Sequence, residues 1–232
     1  VIDFKKDAFH SRTRTRPIAS GKISIAKAKA VAWILGTVSL TLSYLFNPSF
    51  GFIVTVYFVL NVVYSKILKE KVILDVFCIG FLFILRVVAG GVVAEVELSH
   101  WIIVMTGLLA LFLGFNKRRQ ELKLPGEEAV SHRKVLTEYN AYFIDQMISI
   151  VTCSIVVAYM LYTTDPRTTA FFGNKNIMIS IPFVYYGIFR YLYLIHKLNM
   201  NGDPTQLLFR DKSTQLNLVL WLFVCIYAVY VR

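Results

Sequence analysis

Two aspartates near the start of the chain, Asp3 and Asp7, stand four residues apart. On a helix this spacing places both carboxylates on one face, one turn apart. Two carboxylates so close repel each other unless a cation lies between them, and Mg²⁺ favours such oxygen ligands together with substrate phosphate. The alternative is an exposed helix end where Lys5 and Lys6 pair with the aspartates. The pair therefore predicts either a magnesium site or a charged surface turn.

Three arginines at alternate positions follow, Arg12, Arg14 and Arg16, and Pro17 ends the run. The proline and the alternation indicate an irregular loop rather than a helix. The planar guanidinium group matches two phosphate oxygens at a time, so this spacing suits a polyanionic substrate. The alternative is a basic anchor that holds the chain at a membrane surface.

Three further groups of polar residues stand where apolar runs begin or end. They are Tyr64 with Lys69, then Lys117, Arg118 and Glu121, and finally Arg210 with Asp211 and Lys212. Lys117 and Glu121 share a helix face at a spacing of four, and we expect Arg118 and Arg119 to point elsewhere. Each group alone is common at a membrane edge. With the aspartate pair and the arginine loop, they predict a phosphate site at one membrane face.

Arg86 lies inside an apolar run, eleven residues beyond Asp75. On a helix that separation is about 16 Å, which predicts a position near the middle of a membrane. An arginine there is costly and faces a partner or a polar cavity. It is therefore either a substrate-binding residue or half of an ion pair, with Asp75 or Asp145 as its partner.

The elements that must position these residues are apolar helices. Hydrophobic residues make up 56% of the 232 and charged residues 17%, with a mean hydropathy of +0.59, whereas about a quarter of an ordinary soluble domain is charged. Apolar runs long enough to cross a bilayer recur between polar loops, of which Lys117–Asn140 is the longest. The pattern predicts an all-α polytopic transmembrane helix bundle. Its seven spans cover residues 30–46, 49–64, 74–94, 100–116, 141–163, 177–195 and 215–231.

Most of the 25 lysines and arginines lie in alternate loops, at residues 1–29, 65–73, 117–140 and 196–214. The intervening loops and the carboxyl end carry only Arg167, Lys175 and Arg232. By the positive-inside rule the basic loops, and with them the charged site, are expected on the cytoplasmic side of the plasma membrane. Anionic lipid and an anionic substrate explain the net charge of +11 without nucleic acid.

These motifs resemble the UbiA superfamily of membrane prenyltransferases. Asp3 and Asp7 match the last two aspartates of its Asn-Asp-x-x-Asp-x-x-x-Asp motif, and the Arg-Thr-Arg-Thr-Arg-Pro-Ile-Ala-Ser-Gly segment at 12–21 is similar to the segment that follows it. The resemblance implies a nine-helix fold and one UbiA-like domain over 1–232. Its first two helices and the leading Asn-Asp are then expected upstream of residue 1.

Within the superfamily the chain is most similar to the phosphoribosyltransferases that act on decaprenyl phosphate. The likeness rests on Tyr64–Lys69, on Leu85–Gly91, on Lys117–Leu122 and on Arg210–Leu216. Lys117–Glu121 stands where the prenyltransferases carry a second aspartate-rich motif, which disfavours simple prenyl diphosphate chemistry. Another departure is that Lys69 follows Tyr64 by five residues, whereas the family spacing is four.

The resemblance implies Mg²⁺-dependent transfer of 5-phosphoribose from phosphoribosyl pyrophosphate to a polyprenyl phosphate, with release of pyrophosphate, in cell wall biosynthesis. Asp3 and Asp7 are the expected metal ligands and catalytic residues. The residues expected to bind substrate are Arg12, Arg14, Arg16, Tyr64, Lys69, Arg86, Lys117, Arg118, Glu121 and Arg210.

Two other functions stay open at this point. A prenyltransferase of the same superfamily would move a prenyl group from its diphosphate to an aromatic or lipid acceptor. A transporter or channel would use Arg86 and the basic loops to select anions, and it predicts an inverted repeat that is not evident in the spans. The expected partners are the two substrates and the bilayer, and whether the chain forms a homo-oligomer is left open.

Overall fold

The computed structural model describes residues 15–122, 134–173, 175–196 and 211–230. Within these ranges all the regular structure is helical. The α-helices are α1 (Ile25–Phe46), α2 (Pro48–Lys66), α3 (Leu74–Ala94), α4 (His100–Glu121), α5 (Ala141–Thr164), α6 (Pro166–Phe172), α7 (Ile181–His196) and α8 (Lys212–Tyr230). Short 3₁₀ helices cover Leu68–Glu70, Lys134–Thr137 and Asn176–Ser180.

The seven predicted membrane spans are confirmed. In the part of the chain that the structure describes, seven helical segments are long and apolar enough to cross a bilayer: α1 to α5, α8, and the stretch Asn176–Ile195, which runs from the last 3₁₀ helix into α7. The chain is therefore an all-α, multi-pass membrane protein. The first span begins five residues earlier than predicted because Ser24 caps α1, its hydroxyl accepting from the Lys27 N–H. Between the first two spans, the Asn47 side chain caps α2, with Pro48 at its first position.

The predicted loop at Lys117–Asn140 is wrong at its beginning. α4 continues five residues beyond its predicted end at 116 and stops at Glu121. Hydropathy ends the span at the first run of charges, but Arg118 has carboxylate partners and packs in the interior. The charged turn therefore extends the helix.

The described residues divide into two compact units on either side of the Asp145–Gln146 junction. In the first unit α3 packs along α4. The helices approach closely at Gly114, where a Cβ atom would lie 2.6 Å from Val76 Cγ1, a distance real side chains do not adopt. Val76, Leu82, Phe112 and Phe115 fill this interior.

In the second unit α8 packs against α7 and the 3₁₀ helix Asn176–Ser180. A buried polar cluster lies in this unit: Tyr159 and Ser180 share a hydroxyl–hydroxyl hydrogen bond of 2.7 Å, and Trp221 Nε1 donates to Tyr159 Oη at 3.2 Å. Large apolar side chains such as Trp33 and Phe223 stay exposed in their respective units. Exposed apolar helix faces are suited to a lipid environment.

Candidate active site

The site in the first unit begins at the turn before α3. Ile73 has φ 69° and ψ −49°, and the Leu74 N–H donates to the Val72 carbonyl at 2.7 Å. This is a γ-turn with a positive φ at its centre, a conformation that is strained for a β-branched residue. The Ile73 N–H donates to the hydroxyl of Tyr139 at 2.6 Å.

A buried hydrogen-bonded network extends from this turn to the last turn of α4. Tyr139 Oη donates to Asp75 Oδ1 at 2.8 Å. Arg118 Nε donates to Asp75 Oδ2 at 2.5 Å, and Arg118 Nη1 donates to Glu121 Oε2 at 2.5 Å. The Asp75 side chain is 0% exposed and that of Arg118 is 1% exposed. Each buried charge therefore has the partner that burial requires.

Tyr139 is held in its protonated form. Burial raises the pKa of its phenol well above the ordinary value, the backbone N–H of Ile73 acts in the opposite direction, and the hydrogen bond to Asp75 raises the pKa further. The hydroxyl therefore remains a donor to Asp75 at all physiological pH values.

Five of the predicted substrate-binding residues lie on the elements of this network or on elements that pack against them: Tyr64, Lys69, Lys117, Arg118 and Glu121. Tyr64 lies near the end of α2, and Lys69 lies on the 3₁₀ helix that packs against α2, α3 and the 3₁₀ helix Lys134–Thr137. Lys117 is exposed on α4, next to the buried Arg118. The expectation that Arg118 points away from Glu121 is wrong, because Arg118 and Glu121 form an ion pair at a spacing of three.

Arg86 is not in this network, and the ion pair considered for it is wrong. Asp75 is engaged by Arg118, and Asp145 accepts a two-pronged pair of bonds from Arg119 at 2.8 and 3.1 Å. Arg86 instead donates to Tyr57 Oη, from Nε at 3.0 Å and also from Nη2. Its guanidinium carbon lies 5.2 Å from the ring centroids of Tyr57 and Phe83. In the span it is therefore stabilised by a hydroxyl and two aromatic faces.

The second unit holds an ion pair that the motifs did not predict. Arg190 donates to Asp211 from Nε at 3.0 Å and from Nη2 at 2.7 Å. Asp211 also accepts from the N–H and the hydroxyl of Thr214, at 2.9 and 2.6 Å, and so caps α8. The hydrogen bonds from Arg190, together with those from Thr214, hold the pKa of Asp211 well below its usual range.

The predicted metal ligands and several predicted arginines lie outside the described residues: Asp3, Asp7, Arg12, Arg14 and Arg210. Arg16 is described, exposed, in the turn before α1. No group of three or more metal-binding side chains occurs in the described ranges. Asp75 and Glu121 are both engaged by Arg118, so the magnesium hypothesis stays with Asp3 and Asp7.

Sequence reasoning missed Tyr139, which follows no motif and reaches a turn 66 residues away. Asp75 was considered only as a partner for Arg86. The position of Asp75 in the sequence nevertheless indicates a buried partner, because a carboxylate in the first turn of an apolar span requires a cation or a polar contact.

Comparison with known proteins gives a consistent result. The model of the UbiA prenyltransferase family matches residues 1–210. The decaprenyl-phosphate phosphoribosyltransferase of Mycobacterium tuberculosis (strain H37Rv) is 27% identical over 222 residues, which are 96% of this chain and 72% of the relative. The enzyme of that name from Mycolicibacterium smegmatis is 26% identical over 98% of this chain and 73% of its own. The enzyme of that name from Corynebacterium glutamicum is 28% identical over 99% of this chain and 69% of its own length.

Proposed function

Because the chain belongs to the UbiA prenyltransferase family, we propose that it transfers 5-phosphoribose from phosphoribosyl pyrophosphate to a polyprenyl phosphate and releases pyrophosphate. That it is a membrane-embedded transferase follows from the family and from its seven spans. One observation carries the choice of substrates. Three relatives that share the name decaprenyl-phosphate phosphoribosyltransferase each align with at least 96% of this chain.

Asp3 and Asp7 are proposed to hold Mg²⁺ at the pyrophosphate of the donor. Two carboxylates four residues apart supply the oxygen ligands that this ion prefers. When bound, the ion neutralises the charge that grows on the departing pyrophosphate. Arg12, Arg14 and Arg16 are proposed to bind the donor's phosphates through their planar donor groups.

The first unit supplies the second group of phosphate-binding side chains. Lys117 is exposed beside Arg118, and Lys69 lies on the 3₁₀ helix at the start of the turn. Arg118 has five N–H donors, of which one each is engaged by Asp75 and Glu121. Tyr64 completes this group, and Glu121, which is an anion, is proposed to bind substrate away from the phosphates. Arg210 and Arg86 are proposed as further contacts to phosphate and to the lipid.

The reaction needs little base catalysis, because the lipid phosphate oxygen is already an anion. That oxygen forms a bond to the anomeric carbon of the ribose, while the bond from this carbon to pyrophosphate breaks. Pyrophosphate leaves with the electron pair. The side chains named above then act by holding the two anions in line and by stabilising charge in the transition state. The apolar spans are suited to hold the isoprenoid tail.

The membrane orientation belongs to the same proposal. We place the basic loops, and with them the site, on the cytoplasmic side of the plasma membrane, because lysine and arginine are enriched in cytoplasmic loops. Phosphoribosyl pyrophosphate is a charged, soluble donor, and this orientation gives it direct access to the site.

The test uses the complete gene product in detergent or liposomes, with Mg²⁺ and polyprenyl phosphate. Phosphoribosyl pyrophosphate labelled in the ribose is added, and the organic phase is extracted and counted. Metal-dependent transfer of label into lipid is the expected result. If label stays in the aqueous phase while a prenyl diphosphate and an aromatic acceptor react, the chain is a prenyltransferase of its family and the proposed substrates are wrong.

A further inference from the structure

The strained turn before α3 is not explained by substrate binding. Ile73 holds a positive φ although it is β-branched, and such a conformation persists only where surrounding contacts hold it. The turn separates two functional segments. The 3₁₀ helix with Lys69 precedes it, and Asp75 follows it in the first turn of α3.

Tyr139 supplies the contacts that hold this turn. Its hydroxyl accepts from the Ile73 N–H at 2.6 Å and donates its hydrogen to Asp75 Oδ1 at 2.8 Å. The same phenol oxygen is therefore hydrogen-bonded to the central residue of the turn and to the side chain two positions after it. The Tyr139 ring is itself buried, and it stacks on Phe143 with centroids 6.1 Å apart. The ring position is fixed by packing, so the hydroxyl is a rigid contact point.

The other oxygen of Asp75 extends the network to α4. It accepts from Arg118, which also donates to Glu121, so the last turn of α4 is held by two ion pairs. Lys117 lies in this same turn. The turn that follows the Lys69 segment is thus linked to the segment with Lys117 and Glu121 by hydrogen bonds through Tyr139, Asp75 and Arg118.

We infer that Tyr139 and Asp75 are positioning residues, which hold the phosphate-binding side chains of the turn and of α4 in a fixed relation to each other. They touch no substrate themselves. The inference rests on the proposed function, because it takes Lys69, Lys117 and Glu121 as substrate-binding groups. A purely structural network would stabilise the fold equally well but would leave substrate affinity unchanged in folded protein.

The variant Tyr139→Phe tests this inference, because it removes the hydroxyl and keeps the ring. Its matched control is Tyr159→Phe in the second unit, another buried tyrosine whose hydroxyl makes two side-chain hydrogen bonds. We expect Tyr139→Phe to lower kcat/KM for phosphoribosyl pyrophosphate by about ten- to a hundredfold, as small misplacements of binding groups do. We expect the two variants to lower Tm by similar amounts. Tyr159→Phe should keep the wild-type kcat/KM. Equal losses of kcat/KM in both variants, or a wild-type kcat/KM in Tyr139→Phe, would overturn the inference.

A second measurement does not depend on turnover. Magnesium pyrophosphate is titrated into detergent-solubilised protein, and the concentration that gives half of the maximal rise in Tm is measured. We expect this concentration to be about tenfold higher for Tyr139→Phe than for Tyr159→Phe. If the wild type binds pyrophosphate but transfers no phosphoribose, the proposed reaction fails while the inference is still tested. Equal midpoints in the two variants would reject the inference.

The strained turn provides a further variant, which also covers the case that Tyr139→Phe does not fold. Glycine adopts a positive φ without steric cost, so Ile73→Gly makes the turn less dependent on Tyr139. In the Ile73→Gly background we expect Tyr139→Phe to fold and to weaken pyrophosphate binding by no more than about threefold, a smaller loss than in the wild type. Tyr139 would not act through the turn if Tyr139→Phe weakened pyrophosphate binding equally in the wild-type and Ile73→Gly backgrounds. The same would follow if the double variant also failed to fold.

Discussion

Each unit contains an arginine that pairs with an aspartate at an apolar span, but the two pairs differ in their burial. In the first unit Arg118 and Asp75 are 1% and 0% exposed. Their further partners are the buried Tyr139 and Glu121, whose side chain is 11% exposed. In the second, Arg190 and Asp211 are 26% and 12% exposed, and the carboxylate also caps a helix. Removing one partner leaves an uncompensated charge in the first case but a charge that water reaches in the second. The comparison therefore separates a network that fixes geometry from a pair that stabilises one helix end.

The largest effect is expected for Asp75→Asn. This change leaves Arg118 buried with one carboxylate instead of two, and breaking a buried pair costs about 3–5 kcal/mol. We expect a large fall in Tm, measured by size-exclusion chromatography of heated, detergent-solubilised protein. The same change should reduce transfer to lipid in the fraction that stays folded. A loss of unfolding free energy below about 1 kcal/mol would mean that water reaches Asp75. The two ion pairs would then not differ in their burial.

A double variant separates stability from function at the same place. Replacing a buried pair by apolar residues of similar size is often neutral or stabilising. We therefore expect Asp75→Leu with Arg118→Met to recover most of the Tm that Asp75→Asn loses. Activity should not recover, because the variant lacks Arg118, a proposed substrate-binding residue, and because the last turn of α4 no longer has its polar link to Tyr139. Recovery of both Tm and transfer would show that the charges serve packing alone.

The intermediate effect is expected at Asp211. Asp211→Ala removes the cap of α8, which is worth about 1 kcal/mol, and also removes the partner of Arg190. The pKa of Asp211 is depressed in the folded protein, so its stabilising contribution is present above the unfolded pKa of about 3.9 and is lost as pH falls through the folded value.

The measurement is Tm at pH 7 and at pH 3 for the wild type and for Asp211→Asn, which keeps a capping side chain but does not titrate. The wild type should lose more Tm on acidification than the variant. Equal losses would assign the acid sensitivity to other carboxylates, and Asp211 would then be ordinary in its titration.

The sequence was sufficient for the spans and insufficient for the contacts between them. Seven apolar runs predict seven helices because a bilayer requires about twenty apolar residues per span. Hydropathy predicts a loop at residues 117–121, because it counts charges and takes no account of the carboxylates that pair with them. The aromatic partners of Arg86 were missed for a related reason, since Tyr57 and Phe83 read as ordinary apolar positions. Tyr139 was out of reach, because its role depends on a backbone conformation at Ile73 that no local pattern specifies.

The smallest effect is expected at Arg119, the sequence neighbour of Arg118. Its partner Asp145 is 39% exposed, and an ion pair in contact with water contributes less than about 1 kcal/mol. Arg119→Gln should therefore change Tm by only a few degrees, and the change should shrink when salt is raised from 0.05 to 0.5 M, since salt screens exposed charges.

Gln in place of Arg118 provides the matched control one position away on the same helix. Arg118→Gln should lower Tm far more than Arg119→Gln and with a weaker dependence on salt, because Asp75 is fully buried and Glu121 is only 11% exposed. Similar, salt-sensitive losses for the two variants would mean that the end of α4 is hydrated. In that case Lys117 and Glu121 would be held by the helix alone, and a positioning role for Tyr139 and Asp75 would have no physical basis.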